Sequence, residues 1–206
     1  MKYGILNLGQ IEAIVNKLGG MEGVQRFLSG ETVVKTREQI FPTWKTIKLG
    51  TGFKTADDFR GAIKSAGMFI VNLGNEILNF HAFTVSTEET EVDLVVVSNA
   101  ELGFNGGAKL EDTCARALEL GLELCPNEVG PQLRLQYEDQ PYGGLIIVTD
   151  LIDSGLRLLF NVSRDGGGDV GRRFLSGSYD SPRDFWSADS RFVFCRRRVV
   201  LPQQTV

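Results

Sequence analysis

The N-terminal part of the chain carries two short runs in which hydrophobic residues recur every three or four positions. These residues are Ile11, Ile14, Val15, Leu18, Val24, Phe27 and Leu28. The first run ends at Gly19-Gly20 and the second at Ser29-Gly30, and a glycine after the last periodic residue is a stop signal for a helix. The pattern therefore predicts a small helical hairpin over residues 1–31.

A longer helical pattern runs from Phe59 to Leu78, preceded by Thr55 and Asp58 at the spacing of a capping box. It predicts one helix over about residues 56–79, which Gly67 and Gly74 would weaken or bend. Upstream of it, residues 31–52 are irregular and are expected to connect hairpin and body, with a strand at 32–36. Downstream of it, the apolar run 92–97 predicts a strand in the centre of a sheet.

The rest of the chain alternates between one further helix and several strands. A helix is predicted at about residues 108–120, and strands are predicted at about 132–137, 144–151, 156–163 and 191–199. Because short polar turns rich in glycine separate these strands, an antiparallel meander is expected. The predicted fold class is α+β, in which the hairpin precedes a main domain, residues 32–206, made of a mainly antiparallel sheet packed with two helices.

Composition excludes some classes of protein but does not indicate a particular function. The formal net charge of −4 argues against a surface adapted as a whole to nucleic acid, although a local basic patch is compatible with it. No segment approaches the length of an apolar membrane span, so a cytoplasmic location without a membrane partner is expected. The three cysteines are far apart and the chain has one histidine, so no metal site and no cofactor are predicted.

Two acidic residues are the candidates for catalysis. Glu101 and Glu128 both lie in apolar loops that contain glycine, at the ends of predicted core elements, where burial can raise the pKa of a carboxyl group. A pair of such carboxylates is what glycoside hydrolysis needs. In the competing interpretation, Glu128 pairs with Arg134 or caps a turn, and Glu101 caps the loop before Phe104, which would make both residues structural.

The candidate binding residues fall in three segments. Arg134, Tyr137 and Asp139 lie close to Glu128 along the chain, and Trp186 belongs to an aromatic cluster that could line a groove for a sugar or a peptide. Arg196 belongs to an arginine-rich C-terminal strand, whose alternation places Phe192 on the same face. That strand could bind phosphate or bases, or it could be an edge strand protected by charge.

Several motifs resemble a family of bacterial proteins of unknown function. They are W-x-T-I-x-L-G at residues 44–50, V-S-x-A-E-L-G-F at 97–104, L-C-P-x-E-V-G-P-x-L-R-L-x-Y at 124–137, D-Q-P at 139–141 and R-F-V-F at 191–194. The resemblance covers most of residues 10–198 and implies a bacterial origin, but no activity, cofactor or site. The chain departs from the family pattern at Gly144, where an acid is expected, and at Asp150-Leu151, where Glu-Pro is expected. No carboxylate role is therefore carried over to those positions.

The sequence favours a non-catalytic binding or protein-interaction role, because it contains no catalytic signature. A carboxylate-dependent hydrolase that uses Glu101 and Glu128 is the first alternative, and nucleic-acid or phosphate binding by the C-terminal arginines is the second. Neither the partner nor the enzyme question is decided by the sequence. Homo-oligomerisation through the N-terminal helices is a further expectation.

Overall fold

A computed structural model of the protein describes residues 7–31, 41–166 and 171–196. The chain divides into two compact units, Met1–Gln39 and Ile40–Val206. The strand predicted at 32–36 lies outside the described residues, as do residues 197–199 of the predicted C-terminal strand.

The first unit contains the predicted pair of helices, α1 (Leu8–Lys17) and α2 (Gly20–Leu28). The side chain of Asn7 caps α1 by accepting a hydrogen bond from the backbone N–H of Gln10, whose own side chain bonds back to Asn7. The helices approach closely at Gly23, where a Cβ atom would lie 1.6 Å from the carbonyl oxygen of Leu18. A side chain at position 23 is therefore incompatible with this turn.

The second unit is built on a nine-stranded sheet. The strands are β1 (Lys45–Leu49), β2 (Phe69–Ile70), β3 (Thr90–Ser98), β4 (Leu122–Glu123), β5 (Gly143–Ile147), β6 (Ile152–Asp153), β7 (Leu156–Arg164), β8 (Arg173–Asp180) and β9 (Arg191–Arg196). Their order is β1-β3-β9-β5-β7-β8-β2, while β4 pairs with β9 and β6 pairs with β7. The β5–β9 and β2–β8 pairs are parallel and the others are antiparallel. The α+β class is confirmed, but the sheet is mixed and larger than predicted.

In the described part of this unit, four helices accompany the sheet, where the sequence predicted two. They are α3 (Ala56–Ser65), α4 (Asn72–Asn79), α5 (Leu110–Glu119) and α6 (Val129–Gln136). The single helix expected over 56–79 is wrong, because Gly67 adopts a φ of +69° and ends α3. The Gly67 N–H donates to the Lys64 carbonyl and the Met68 N–H to the Ile63 carbonyl, the pair of bonds that defines a Schellman motif. The chain then passes through β2 before α4 begins.

The strand predicted at 132–137 is also wrong, since these residues belong to α6 and its C-terminal cap. Residues 128–134 are all buried, so the segment shows neither the period of a half-buried helix nor that of a half-buried strand. Pro131 is compatible with the helix because it lies in the first turn, where a missing N–H removes no intrahelical bond. Gly130 packs against the ring of Phe160, where a Cβ atom would lie 2.5 Å from ring carbons.

The C-terminal strand is an interior strand, which corrects the edge-strand interpretation. β9 lies between β3 and β5 and also pairs with β4. Its side chains alternate as predicted: Val193 and Cys195 enter one core cluster, and Phe192 and Phe194 enter another. All three cysteines are buried and free.

These two clusters lie on opposite faces of the sheet. The first face packs against apolar residues of α3, α4 and α6. The second face packs against Leu110, Cys114 and Ala117 of α5, which lie with Val95 and Val97 of β3 and with the phenylalanines of β9. On this second face, the cluster includes Leu159 of β7 but not the residues that follow it at alternate positions, Asn161 and Ser163.

Candidate functional site

The part of the second sheet face outside the α5 cluster forms an open groove of about 560 Å³. Its floor is made by alternate residues of three adjacent strands, and its ends are formed by Tyr142 on one side and the segment around Trp186 on the other. The floor residues are Gly144 and Ile146 of β5, Asn161 and Ser163 of β7, and Ser176 and Ser178 of β8.

Strand register explains why these small polar residues meet. In the antiparallel pairs, Gly144 lies opposite Ser163 and Asn161 lies opposite Ser176. Because alternate residues of a strand point to opposite faces, the intervening Val162 and Leu175 are fully buried in the core on the other side. The floor is therefore uncharged and mostly polar, with Ile146 as its large apolar residue, while the same strands are apolar on the opposite face.

The Asn161 amide is the most distinctive group in the floor. Its Nδ2 donates to the hydroxyl of Ser178 at 3.3 Å. Its Oδ1 is buried and has no hydrogen-bond partner within the described part of the chain. A buried acceptor without a donor costs about 1–3 kcal/mol, so a rotation of the amide that exposes Oδ1 to a ligand hydroxyl or a bound water would stabilise the site.

The groove wall at Trp186 is held firmly by the neighbouring structure. The backbone of Trp186 exchanges two hydrogen bonds with Ala108, at 3.0 and 2.9 Å. The fully buried side chain of Asn99 donates to the carbonyls of Trp186 and Ser187, at 3.1 and 3.0 Å. The indole ring packs edge-to-face on Phe192 at a centroid distance of 5.7 Å. The aromatic wall is thus preorganised rather than a loose loop.

Charge is confined to the surroundings of the groove. Asp189 and Arg191 line its rim with one charge of each sign, and both are exposed. The carboxylate of Asp180 lies behind Trp186 and accepts the indole N–H at 2.6 Å. Burial raises the pKa of Asp180 above its ordinary value, an effect that the Trp186 hydrogen bond opposes and Asp184 reinforces. Of the residues that line the groove, only Asp189 and Arg191 carry a charge.

The two predicted catalytic carboxylates have separate local partners. Glu101 is exposed, and its Oε2 accepts from the backbone N–H and the hydroxyl of Ser98, at 2.7 and 2.8 Å. Glu128 is 1% exposed and accepts from the backbone N–H groups of Gly50 (3.0 Å) and Ser86 (2.7 Å) and from the Gln132 amide. Each acid therefore fixes a turn or joins loops, and neither lines the groove.

Arg134 is fully buried and does not pair with Glu128. Its guanidinium donates to the carbonyls of Tyr137 and Ser163 and to the side chain of Gln140, all uncharged acceptors. Burial lowers the pKa of Arg134 to about 10. The residue thus ties the C-terminal end of α6 to β7 directly beneath Ser163 of the groove floor.

Tyr137 and Asp139 are joined by Lys45, whose ammonium lies 5.0 Å from the Tyr137 ring centroid and 3.7 Å from the Asp139 carboxylate. Burial raises the pKa of Tyr137. Arg196 lies elsewhere, half-buried, with its guanidinium donating to the Phe41 carbonyl. Of the predicted binding residues, Arg134, Tyr137 and Asp139 therefore lie near one another, and Trp186 is the one that lines the groove.

Sequence reasoning missed the polar floor because it did not predict β8. Residues 173–180 read R-F-L-S-G-S-Y-D, and their serines and glycine have low strand propensity. The available signal was the alternation L-F-N-V-S at 159–163, which places Asn161 and Ser163 on one face and buried residues on the other.

Within residues 7–31, 41–166 and 171–196, no cluster of three or more His, Cys, Asp or Glu side chains has the geometry of a metal site. No helix in the same ranges combines the length and the apolar character needed to cross a membrane. The chain matches no protein-family model, no curated protein and no solved structure, so its function is inferred from its own geometry.

Proposed function

We propose that the protein is a non-catalytic binding protein that holds a neutral, hydroxyl-rich ligand, such as a short carbohydrate, in the groove. The observation that carries this proposal is the uncharged floor around Asn161, whose buried Oδ1 lacks a donor. A sugar hydroxyl can donate the hydrogen bond that the Asn161 Oδ1 lacks. The serine hydroxyls of the floor can both donate and accept, which suits a ligand that also does both.

The aromatic wall supports the same ligand class. A ligand site needs apolar surface as well as a few oriented polar groups, and Trp186 lines the same groove as Ser176 and Ser178. A sugar ring presents C–H groups that pack on an aromatic ring and hydroxyls that bond to the floor. A phosphate would instead favour a cluster of cations, whereas the groove has Arg191 balanced by Asp189 at its rim.

A binding role is favoured over a catalytic one by the contents of the groove. Its serines have no histidine beside them, because His81 is the single histidine of the chain and does not line the groove. Glu101 and Glu128, the pair in the hydrolase alternative, are bonded to separate backbone segments. Binding of nucleic acid or phosphate by the C-terminal arginines is the weaker alternative, because Arg196 is bonded to the Phe41 carbonyl.

The test is an array of immobilised neutral glycans probed with the full chain, followed by titration of tryptophan fluorescence with each glycan that binds. A Trp44→Phe background leaves Trp186 as the single reporter. We expect Asn161→Ala to weaken binding about tenfold or more, since one hydrogen bond in a buried site is worth about 1–3 kcal/mol.

The control is Ser65→Ala, which removes an exposed hydroxyl at the last residue of α3, outside the groove. It should bind like the wild type. Absence of binding to every glycan, or equal binding by Asn161→Ala and wild type, would contradict the proposal. Binding of inorganic phosphate that is lost in Arg191→Ser would favour an anionic ligand instead.

A further inference from the structure

The helical hairpin of residues 7–31 leaves its hydrophobic face exposed. In these residues no hydrophobic side chain is buried, and Gly23 is the one buried residue of α1 and α2. Six large hydrophobic side chains are between 40 and 76% exposed. They are Leu8, Ile11 and Ile14 in α1, and Met21, Phe27 and Leu28 in α2.

Helices of this length need a packing partner. α1 has ten residues and α2 has nine, and isolated helices shorter than about 12–15 residues are marginal in water. The most buried hydrophobic side chains of the hairpin, Val15, Leu18 and Val24, are themselves only half-buried. The stability of such helices comes mainly from covering the apolar face, and the hairpin does not cover its own face.

We propose that this face binds the same face of a second copy of the chain and forms a homodimer with a four-helix core. A two-fold axis brings one patch against an identical patch, so a single apolar stripe is sufficient for both partners. Two hairpins supply the four helices of a bundle, in which each stripe faces a shared core.

The exposed area is of the size that a dimer requires. At roughly 150–200 Å² of accessible surface for a large side chain, the six exposed side chains offer on the order of 600 Å², against about 800 Å² per partner in a standard interface. The flanking polar residues of the helices would contribute the rim.

Charge favours a second copy over a lipid surface. Residues 7–31 contain three acids, Glu12, Glu22 and Glu31, and two bases, Lys17 and Arg26. An amphipathic helix that lies on an anionic membrane carries Lys and Arg along its polar face, and the hairpin lacks that excess. Two copies with nearly balanced charge do not repel each other strongly.

The test is sedimentation equilibrium of the full-length chain over a range of micromolar concentrations. The wild type should reach the mass of a dimer. Ile11→Asp places a charge in the apolar stripe and should weaken dimerisation about a hundredfold or more, whereas Asn16→Asp adds the same charge at an exposed polar position of the same helix and should leave it unchanged.

A wild type that stays monomeric at every concentration would overturn the proposal, and this result depends on no variant. A dimer that Ile11→Asp and a second variant, Leu28→Asp, leave intact would also overturn it. Co-sedimentation of the wild-type monomer with phosphatidylserine vesicles, lost in Ile11→Asp, would assign the face to a membrane instead. The proposal is independent of the groove, because glycan binding is measured separately.

Discussion

One face of the sheet has two halves that are built differently. In the half under α5, which we call the covered half, alternate strand positions carry Val95, Val97, Phe192 and Phe194, all at most 1% exposed. In the groove half, the corresponding positions carry one large apolar residue, Ile146, which borders the covered half, and otherwise Gly144, Asn161, Ser163, Ser176 and Ser178. β7 runs through both halves, since Leu159 lies in the covered half and Asn161 in the groove.

The difference shows that the groove is not merely a part of the core left without a helix. If it had only lost its cover, its floor would be expected to keep large apolar residues, and such a patch would attract partners nonspecifically. Instead the residues become small and polar within one strand, between Leu159 and Asn161. Such a change from apolar to polar residues is typical of a strand that passes from the core to a polar surface. The wall at Trp186 borders this surface and makes it a groove.

The largest expected effect comes from the covered half. Phe194→Ala should lower the free energy of unfolding by about 3–5 kcal/mol, because it removes a fully buried ring and leaves a cavity beside α5. Urea denaturation followed by circular dichroism measures the change. The control Phe194→Leu retains most of the volume and should cost much less. A cost below about 1 kcal/mol for Phe194→Ala would mean that this half is not a packed core.

Asn99 connects the two halves, and its loss should be the next largest effect. Asn99→Ala removes the two bonds to the carbonyls at 186 and 187, and it leaves the Thr113 hydroxyl with the Lys109 carbonyl at 3.0 Å in place of the Asn99 oxygen at 2.6 Å. We expect a loss of about 2–3 kcal/mol in the free energy of unfolding. We also expect weaker glycan binding, since the Trp186 wall loses its support.

Thr113→Ser is the matched control, because it keeps the hydroxyl that donates to Asn99. It should affect stability far less than Asn99→Ala and leave glycan binding unchanged. If Asn99→Ala destabilised the protein but left groove binding intact, the covered half would not position the wall.

The sequence predicted those elements whose own residues show a clear hydrophobic or capping pattern. The continuous apolar run at 92–97 identified an interior strand, β3, although β3 lies second from an edge of the sheet and not at its centre, and the alternation from Phe192 to Cys195 gave the faces of β9 correctly. The capping box of Thr55 and Asp58 fixed the start of α3. In each case the local pattern and the tertiary environment require the same structure.

Prediction from the sequence failed where complete burial removed the hydrophobic periodicity of a helix. It also failed where a feature arises only when distant strands pair. α6 is buried on all sides through residues 128–134, so its hydrophobic period is lost. The parallel pairing of β5 with β9 joins segments that are distant along the chain. The groove floor requires β5, β7 and β8 in register, so no single segment could reveal it.

Within the groove half, apolar substitutions should change stability little. Ser176→Val replaces a half-buried floor residue on the open side of β8. We expect a change within about 0.5 kcal/mol in the free energy of unfolding, because substitutions outside a packed core usually fall in that range and valine suits a strand. Urea denaturation measures it. A cost above about 2 kcal/mol would place Ser176 in a packed environment and remove the contrast between the halves.

The smallest effect is a pH dependence at the boundary between the halves, where Asp180 accepts the indole N–H of Trp186. Burial raises the pKa of Asp180 above its ordinary value of 3.8, so the folded state holds this proton more tightly than the unfolded state. The resulting stabilisation is fully present below the unfolded pKa and is lost as pH rises through the folded pKa.

Asp180→Asn cannot titrate, but its side-chain carbonyl can still accept the indole N–H. We therefore expect the unfolding free energy of this variant, relative to the wild type, to increase as pH rises from about 3 to about 7. Urea denaturation of both proteins at matched pH values isolates the contribution of Asp180, because groups common to both cancel in the difference. A flat difference, or one that decreases with pH, would mean that the Asp180 carboxylate is as well solvated in the folded state as in the unfolded chain.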